Sequence, residues 1–111
     1  MTVPSAELGP TFLDAVDEAI TLSVRGMAAV GLQLTGTWAG TVSFEATVEG
    51  LTWVAFNMVP AASATAASSA TANGAWSANC GGYDAVRARF STATSGTVRA
   101  FMLACAGAGR Y

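Results

Sequence analysis

Thr41-Val42-Ser43-Phe44-Glu45-Ala46-Thr47-Val48-Glu49 alternates without a break. Val42, Phe44, Ala46 and Val48 fall on one side; Thr41, Ser43, Glu45, Thr47 and Glu49 fall on the other. That is the period of two expected of a strand with one buried face. The same reading extends outward in both directions. Upstream, Ile20 to Val24 alternates and Arg25-Gly26 supplies a turn. Val30, Leu32 and Leu34 then share a face opposite Gly31 and Gln33. Thr35 to Gly40 reads as turn chemistry feeding the quoted strand.

Downstream, Glu49-Gly50 is another turn. Leu51 to Val59 is apolar on both faces, which predicts a strand covered on both sides. Trp76, Ala78 and Cys80 alternate with Ser77 and Asn79, and Val86, Ala88 and Phe90 alternate with Arg87, Arg89 and Ser91. Gly96-Thr97 reads as the turn into a final strand, Val98 to Cys105. Residues 60–75 are small and uncharged and read as a loop, or as a strand pressed close against another chain, with Asn73-Gly74 as a hairpin signal. The sum is seven strands, eight with a piece inside 61–72. Short strands punctuated by turns predict an all-β fold, a single antiparallel β-sandwich of jelly-roll-like form.

Residues 1–18 read as an N-terminal arm, extended or a short helix, ahead of a sandwich domain over 19–111. Pro4, Gly9 and Pro10 break regular structure, and Thr11 with Asp14 is a helix-start signal. On one turn of helix Phe12, Leu13 and Val16 form a small apolar patch, either a frayed tail or an arm that docks on a neighbour.

At 111 residues the chain is one domain, long enough to bury roughly two thirds of the surface its unfolded form exposes. A net charge of −2 gives no footprint for nucleic acid or an anionic membrane. Neither a secretory leader nor an apolar run of about 20 residues is visible. The positive mean hydropathy hints at apolar surface covered by neighbouring subunits. Cys80 and Cys105 read as buried small hydrophobes in a reducing cytosol rather than as a disulfide. Two thiols and no histidine fall short of the four ligands of a structural zinc site, so no metal or cofactor is expected.

Catalytic chemistry finds no purchase. The many serines and threonines have no histidine or lysine to activate them. Glu45 and Glu49 share a strand face, but four residues of strand separate them by about 13 Å, too far for a glycosidase pair at about 5–9.5 Å. Asp14, Asp17 and Glu18 lack the spacing of a calcium loop and read as a solvated helix start. The chain reads as a building block and not as an enzyme. Its outward polar residues, Arg87, Arg89 and Arg99, share one sheet surface if the last two strands are neighbours, with Glu45 on another outward face. They are a solvated face that keeps an edge soluble or a contact patch. Trp38, in a turn, is an interface anchor, a lid on the end of the sandwich, or a platform for a sugar ring.

The run Val30-Gly31-Leu32-Gln33-Leu34-Thr35-Gly36-Thr37-Trp38-Ala39-Gly40-Thr41-Val42-Ser43-Phe44-Glu45, with Thr52-Trp53-Val54-Ala55, resembles small structural proteins encoded by tailed bacteriophages. Thr71-Ala72-Asn73-Gly74, Val86-Arg87-Ala88-Arg89 and Thr94-Ser95-Gly96-Thr97-Val98 extend the resemblance over about residues 19–108. Such proteins are capsid decoration (cement) proteins or head, collar or tail-fibre modules; the decoration proteins are often β-sandwiches, commonly trimers at capsid symmetry axes. The resemblance implies a virion protein on the outer capsid surface, made in the host bacterial cytoplasm. Its partners are then the major capsid protein and copies of itself, with a trimer favoured. The family carries no catalytic residues to transfer. Contact regions on this reading are Phe12, Leu13, Val16, Trp38, Arg87, Arg89 and Arg99. The alternative is a head, collar or tail-fibre module that touches host surface glycans.

Overall fold

The structure, a computed structural model, describes residues 5–106. The first four residues of the expected arm and the last five of the expected sandwich domain lie outside the described residues. Eight strands follow in chain order: β1 (Ser5–Leu13), β2 (Ala19–Ser23), β3 (Ala29–Thr47), β4 (Val54–Ala55), β5 (Val59–Pro60), β6 (Ser69–Ala70), β7 (Gly74–Asn79) and β8 (Ala85–Cys105). All pairings are antiparallel, and no helix forms among the described residues. This is the predicted all-β class.

Two strands dominate. β3 has 19 residues and β8 has 21, and they pair along their whole length, from Ala29↔Cys105 to Thr47↔Ala85. Fully extended, β3 would span about 60 Å, yet the longest dimension of the molecule is 43 Å. Both strands therefore bend, and the ladder shifts register where they do, between Ala39 and Gly40 and between Thr41 and Val42. The bend divides the sheet into two layers. One runs β1-β8-β3-β7-β5 on the Ala29–Gly36 side. The other joins β2, β4 and β6 to the Val42–Thr47 side of the same two long strands.

The layers close over one core. Val30, Leu32, Leu34, Val98, Ala100 and Met102 enter it from the first; Val42, Phe44, Ala46, Val86, Ala88 and Phe90 enter from the second. Phe44 of one layer meets Trp76 of the other with ring centroids 5.4 Å apart. Even-numbered residues face inward on both sides of the bend in β3 and β8, because the two register shifts each add one residue to β8 and together restore its alternation.

Glycine makes the bend possible. Gly40 (φ 141°) and Gly96 (φ 81°) hold backbone conformations that L side chains rarely adopt. A Cβ on Gly40 would fall on the Thr92 carbonyl oxygen, and one on Gly96 on the Thr37 carbonyl oxygen.

Several expectations change here. Thr35–Gly40 and Gly96–Thr97 are not turns between strands but the corners inside β3 and β8. The stretch 11–18 forms no helix. It is extended through Leu13, pairs with β8, and then reverses in a tight turn in which Glu18 N–H donates to the Ala15 carbonyl at 3.2 Å. Leu51–Val59 is not one doubly covered strand. Phe56 and Met58 point into the core, while Leu51 is 84% exposed. Residues 61–68 are mainly loop, and β6 supplies the strand piece expected inside 61–72.

Candidate functional site

Alternation places Glu45, Arg87 and Arg89 on the outward face of the second layer, and the ladder sets Glu45 directly opposite Arg87. Arg87 Nε donates to Glu45 Oε1 at 2.7 Å. Arg89 grips the same carboxylate at two points, Nε to Oε1 at 3.2 Å and Nη2 to Oε2 at 2.9 Å. Its remaining nitrogen, Nη1, donates to Asp17 Oδ1 at 2.6 Å, and the Arg87 guanidinium carbon sits over Trp53, 4.2 Å from the ring centroid. Next to this cluster, Ser43 and Ser91 share a hydroxyl hydrogen bond of 2.7 Å.

The electrostatics follow from the geometry. The Arg89 guanidinium, then burial working against it, then Arg87 set the Glu45 carboxyl, which ends below its ordinary range. Glu45, and next Asp17, raise Arg89 further above its already high value. A carboxylate held by two cations is a poor proton acceptor at neutral pH, and guanidinium is a poorer donor still. The cluster neutralises itself and ties β2's approach turn to β3 and β8.

Arg99 does not join it. Residues 86–91 and 98–105 are two ends of one strand rather than neighbouring strands, so Arg99 lies on the outward face of the other layer. Leu13 is 1% exposed and fills the chain's own core, which removes it from any contact surface. Phe12, one residue away and therefore on the opposite face, is 59% exposed, and Val16 is exposed in the turn that follows.

Trp38 stands in the corner of β3, paired with Gly96. Its indole N–H donates to Asn73 Oδ1 at 2.7 Å, and Asn73 Nδ2 donates to the Gly36 carbonyl at 2.9 Å. Its ring meets Phe90 edge-on at 5.8 Å. Of the roles open to it, the geometry is that of a lid on the end of the sandwich. A shallow hollow of about 310 Å³ lies beside it, lined by Gly36, Thr37, Thr71 and Asn73.

Sequence reasoning missed one surface. Between β3 and β4 the chain forms a loop that shows Val48 and Leu51 to solvent, and Val54, the first residue of β4, is exposed beside them. Glu49 organises it: its carboxylate accepts the backbone N–H groups of Leu51, at 3.0 Å, and Thr52, while Thr47 Oγ1 accepts the N–H of Gly50 at 2.9 Å. These bonds hold the Glu49 carboxyl below its ordinary range, the Thr52 amide most of all. A signal was present in Thr47, whose side chain favours local backbone bonds, but the apolar run hid it.

Cys80 and Cys105 are both free thiols. Burial, and then the neighbouring Cys105, push the Cys80 thiol up, away from the reactive thiolate. Among the described residues no three acidic or thiol side chains gather as metal ligands would.

The class these features define is an all-β sandwich whose two layers share their two longest strands. The same fold occurs in the SPBc2 prophage-derived protein YomS, with a TM-score of 0.84 at 14% identity over 95% of this chain and 96% of that one. It recurs in the PBSX exported protein XepA, with a TM-score of 0.82 at 21% identity, where 95% of this chain covers 39% of that one. No family model matches the chain, and no curated protein matches it.

Proposed function

We propose that the chain is a virion structural protein of a tailed bacteriophage, a non-enzymatic decoration module that binds the outside of the head and stabilises its shell. The observation that carries this reading is the sharing of one fold, end to end, with a prophage-derived protein. The surface supports it. The charged groups that come together neutralise one another, and three of the exposed apolar groups, Val48, Leu51 and Val54, stand close together on a stretch ordered in advance. In this reading the Val48–Val54 loop inserts Leu51 between major-capsid subunits, and Val16 adds a second point of contact. Pre-ordering lowers the entropy lost on docking, and repetition over the shell multiplies a small energy per copy. The glycan-binding alternative draws less support, because the Trp38 indole is half-buried and its N–H is already engaged.

The test is to mix the purified chain with undecorated heads. A decoration protein binds in symmetry-fixed copy number and raises the temperature at which the heads open. Leu51→Asp is expected to lower head binding at least about tenfold while leaving the chain's own melting temperature in place. Heads that neither bind the wild-type chain nor gain heat resistance overturn the reading.

A further inference from the structure

Four arginines fall among the described residues, and three of them (Arg25, Arg87 and Arg89) are paired with a carboxylate of their own chain. Arg99 is the exception: among the described residues it has no ion-pair partner, and it stands exposed on the outward face of the β1-β8-β3-β7-β5 layer. Glu7, on the adjacent strand of that same face, is exposed and likewise has no ion pair among the described residues. The unpaired cation and the unpaired anion frame an apolar strip. Arg99, Phe101 and Leu103 follow one another along the outward row of β8, with Phe12 across from Arg99 and Glu7 across from Leu103. Leu103 is 48% exposed. On the next strand Gly31 lacks a side chain opposite Leu103, which leaves a groove of about 370 Å³ bounded by Gln33, Ala75, Trp76 and Phe101.

This pattern is self-complementary. We propose that two copies of the chain pair through this face, about a two-fold axis that runs across the strands at the level of Phe101. Such an axis exchanges the row of Phe12 and Arg99 with the row of Glu7 and Leu103. Phe101 then meets its own image, and Leu103 lies over the aliphatic stem of the second copy's Arg99. Each Arg99 guanidinium comes within about one strand spacing, roughly 4.8 Å, of the second copy's Glu7. Every contact occurs twice, as an isologous interface requires. The layer is five strands wide. Its outward face offers roughly 600 Å² per copy, so a pair buries about 1,200 Å², the lower end of specific interfaces. A weak, concentration-dependent dimer follows. It departs from the trimer that the resemblance implies, and it stands whether or not a capsid is the target.

Sedimentation velocity on the full chain at low salt tests it, from about 1 µM to about 1 mM. The wild type is expected to pass from monomer to dimer, more weakly as salt rises. Glu7→Arg and Arg99→Glu should each weaken pairing about tenfold or more, and the two together should restore it, because the charges are exchanged rather than lost. Leu103→Asp should abolish pairing, with an unchanged circular dichroism spectrum as the check on folding. A chain that stays monomeric throughout, a trimer, a double variant no better than the singles, or a dimer indifferent to Leu103→Asp overturns the proposal.

Discussion

Glu45 faces Arg87 directly across the β3–β8 ladder, and the same carboxylate grips Arg89 at two points. Its side chain is 15% exposed, well shielded from solvent. Hydrogen bonds to charged groups in such settings contribute about 1.5–3 kcal/mol, and part of that is offset by the cost of removing the ions from water.

Replacing Glu45 by Gln keeps the shape and removes the charge, leaving two guanidiniums side by side without their shared partner. The expected loss is about 1–2 kcal/mol, read as a fall in Tm of several degrees at neutral pH. An unchanged Tm would show the cluster to be ornamental to stability.

Acid should act through the same groups. Glu45, Glu18 and Glu49 are all held below the ordinary carboxyl value of 4.5, by the Arg89 guanidinium, the Asp14 amide and the Thr52 amide respectively. A carboxyl lowered on folding adds stability that is complete above its unfolded value and disappears as pH falls through the folded one. Asp14, raised by its hydrogen bond to Glu18, works in the opposite direction and softens the Glu18 contribution. Thermal melts between neutrality and about pH 3 are expected to show Tm falling below about pH 4.5. In Glu45→Gln the fall should be shallower.

The corner glycines should tolerate nothing larger. Gly96→Ala places a methyl group on the Thr37 carbonyl and demands a positive φ from an L residue. We expect a loss of about 2–4 kcal/mol, visible in chemical denaturation. By contrast, Gly26→Ala meets no atom within 4 Å and carries only the cost of its φ of 81°, about 1 kcal/mol.

Trp38 and Asn73 should behave as a coupled pair. Trp38→Phe keeps an aromatic ring for Phe90 and loses the indole hydrogen bond; Asn73→Ala removes that bond and the one to Gly36. Each is expected to cost about 1–2 kcal/mol, and the double variant less than the two together, by about 0.5 kcal/mol or more. Strict additivity, measured by denaturation, would separate the two side chains energetically.

Much of the fold was legible because alternation is a local property. Val42, Phe44 and Ala46 announce a buried face within nine residues, and Val30, Leu32 and Leu34 do the same. What escaped depended on partners far away in sequence. Gly36, Gly40 and Gly96 look alike whether they end a strand or bend it, and Trp38 opposite Gly96 is what decides for bending. That one reassignment moved Arg99 away from Arg87 and Arg89. The charge cluster was half visible: the alternation set Glu45, Arg87 and Arg89 outward, but nothing local brings Asp17, 72 residues from Arg89, into their reach. Leu13 was misread for a smaller reason. On a helix it joins Phe12 and Val16, whereas on a strand adjacent residues point apart.

The long strands β3 and β8 belong to both layers at once. Prising the layers apart therefore tears no separable joint; it must straighten two continuous backbones at their glycine elbows. Strain entering one side of the molecule travels to the other through covalent bonds rather than across a greasy seam that can slip. A coat fastened with such units would yield at its contacts before the units themselves came open.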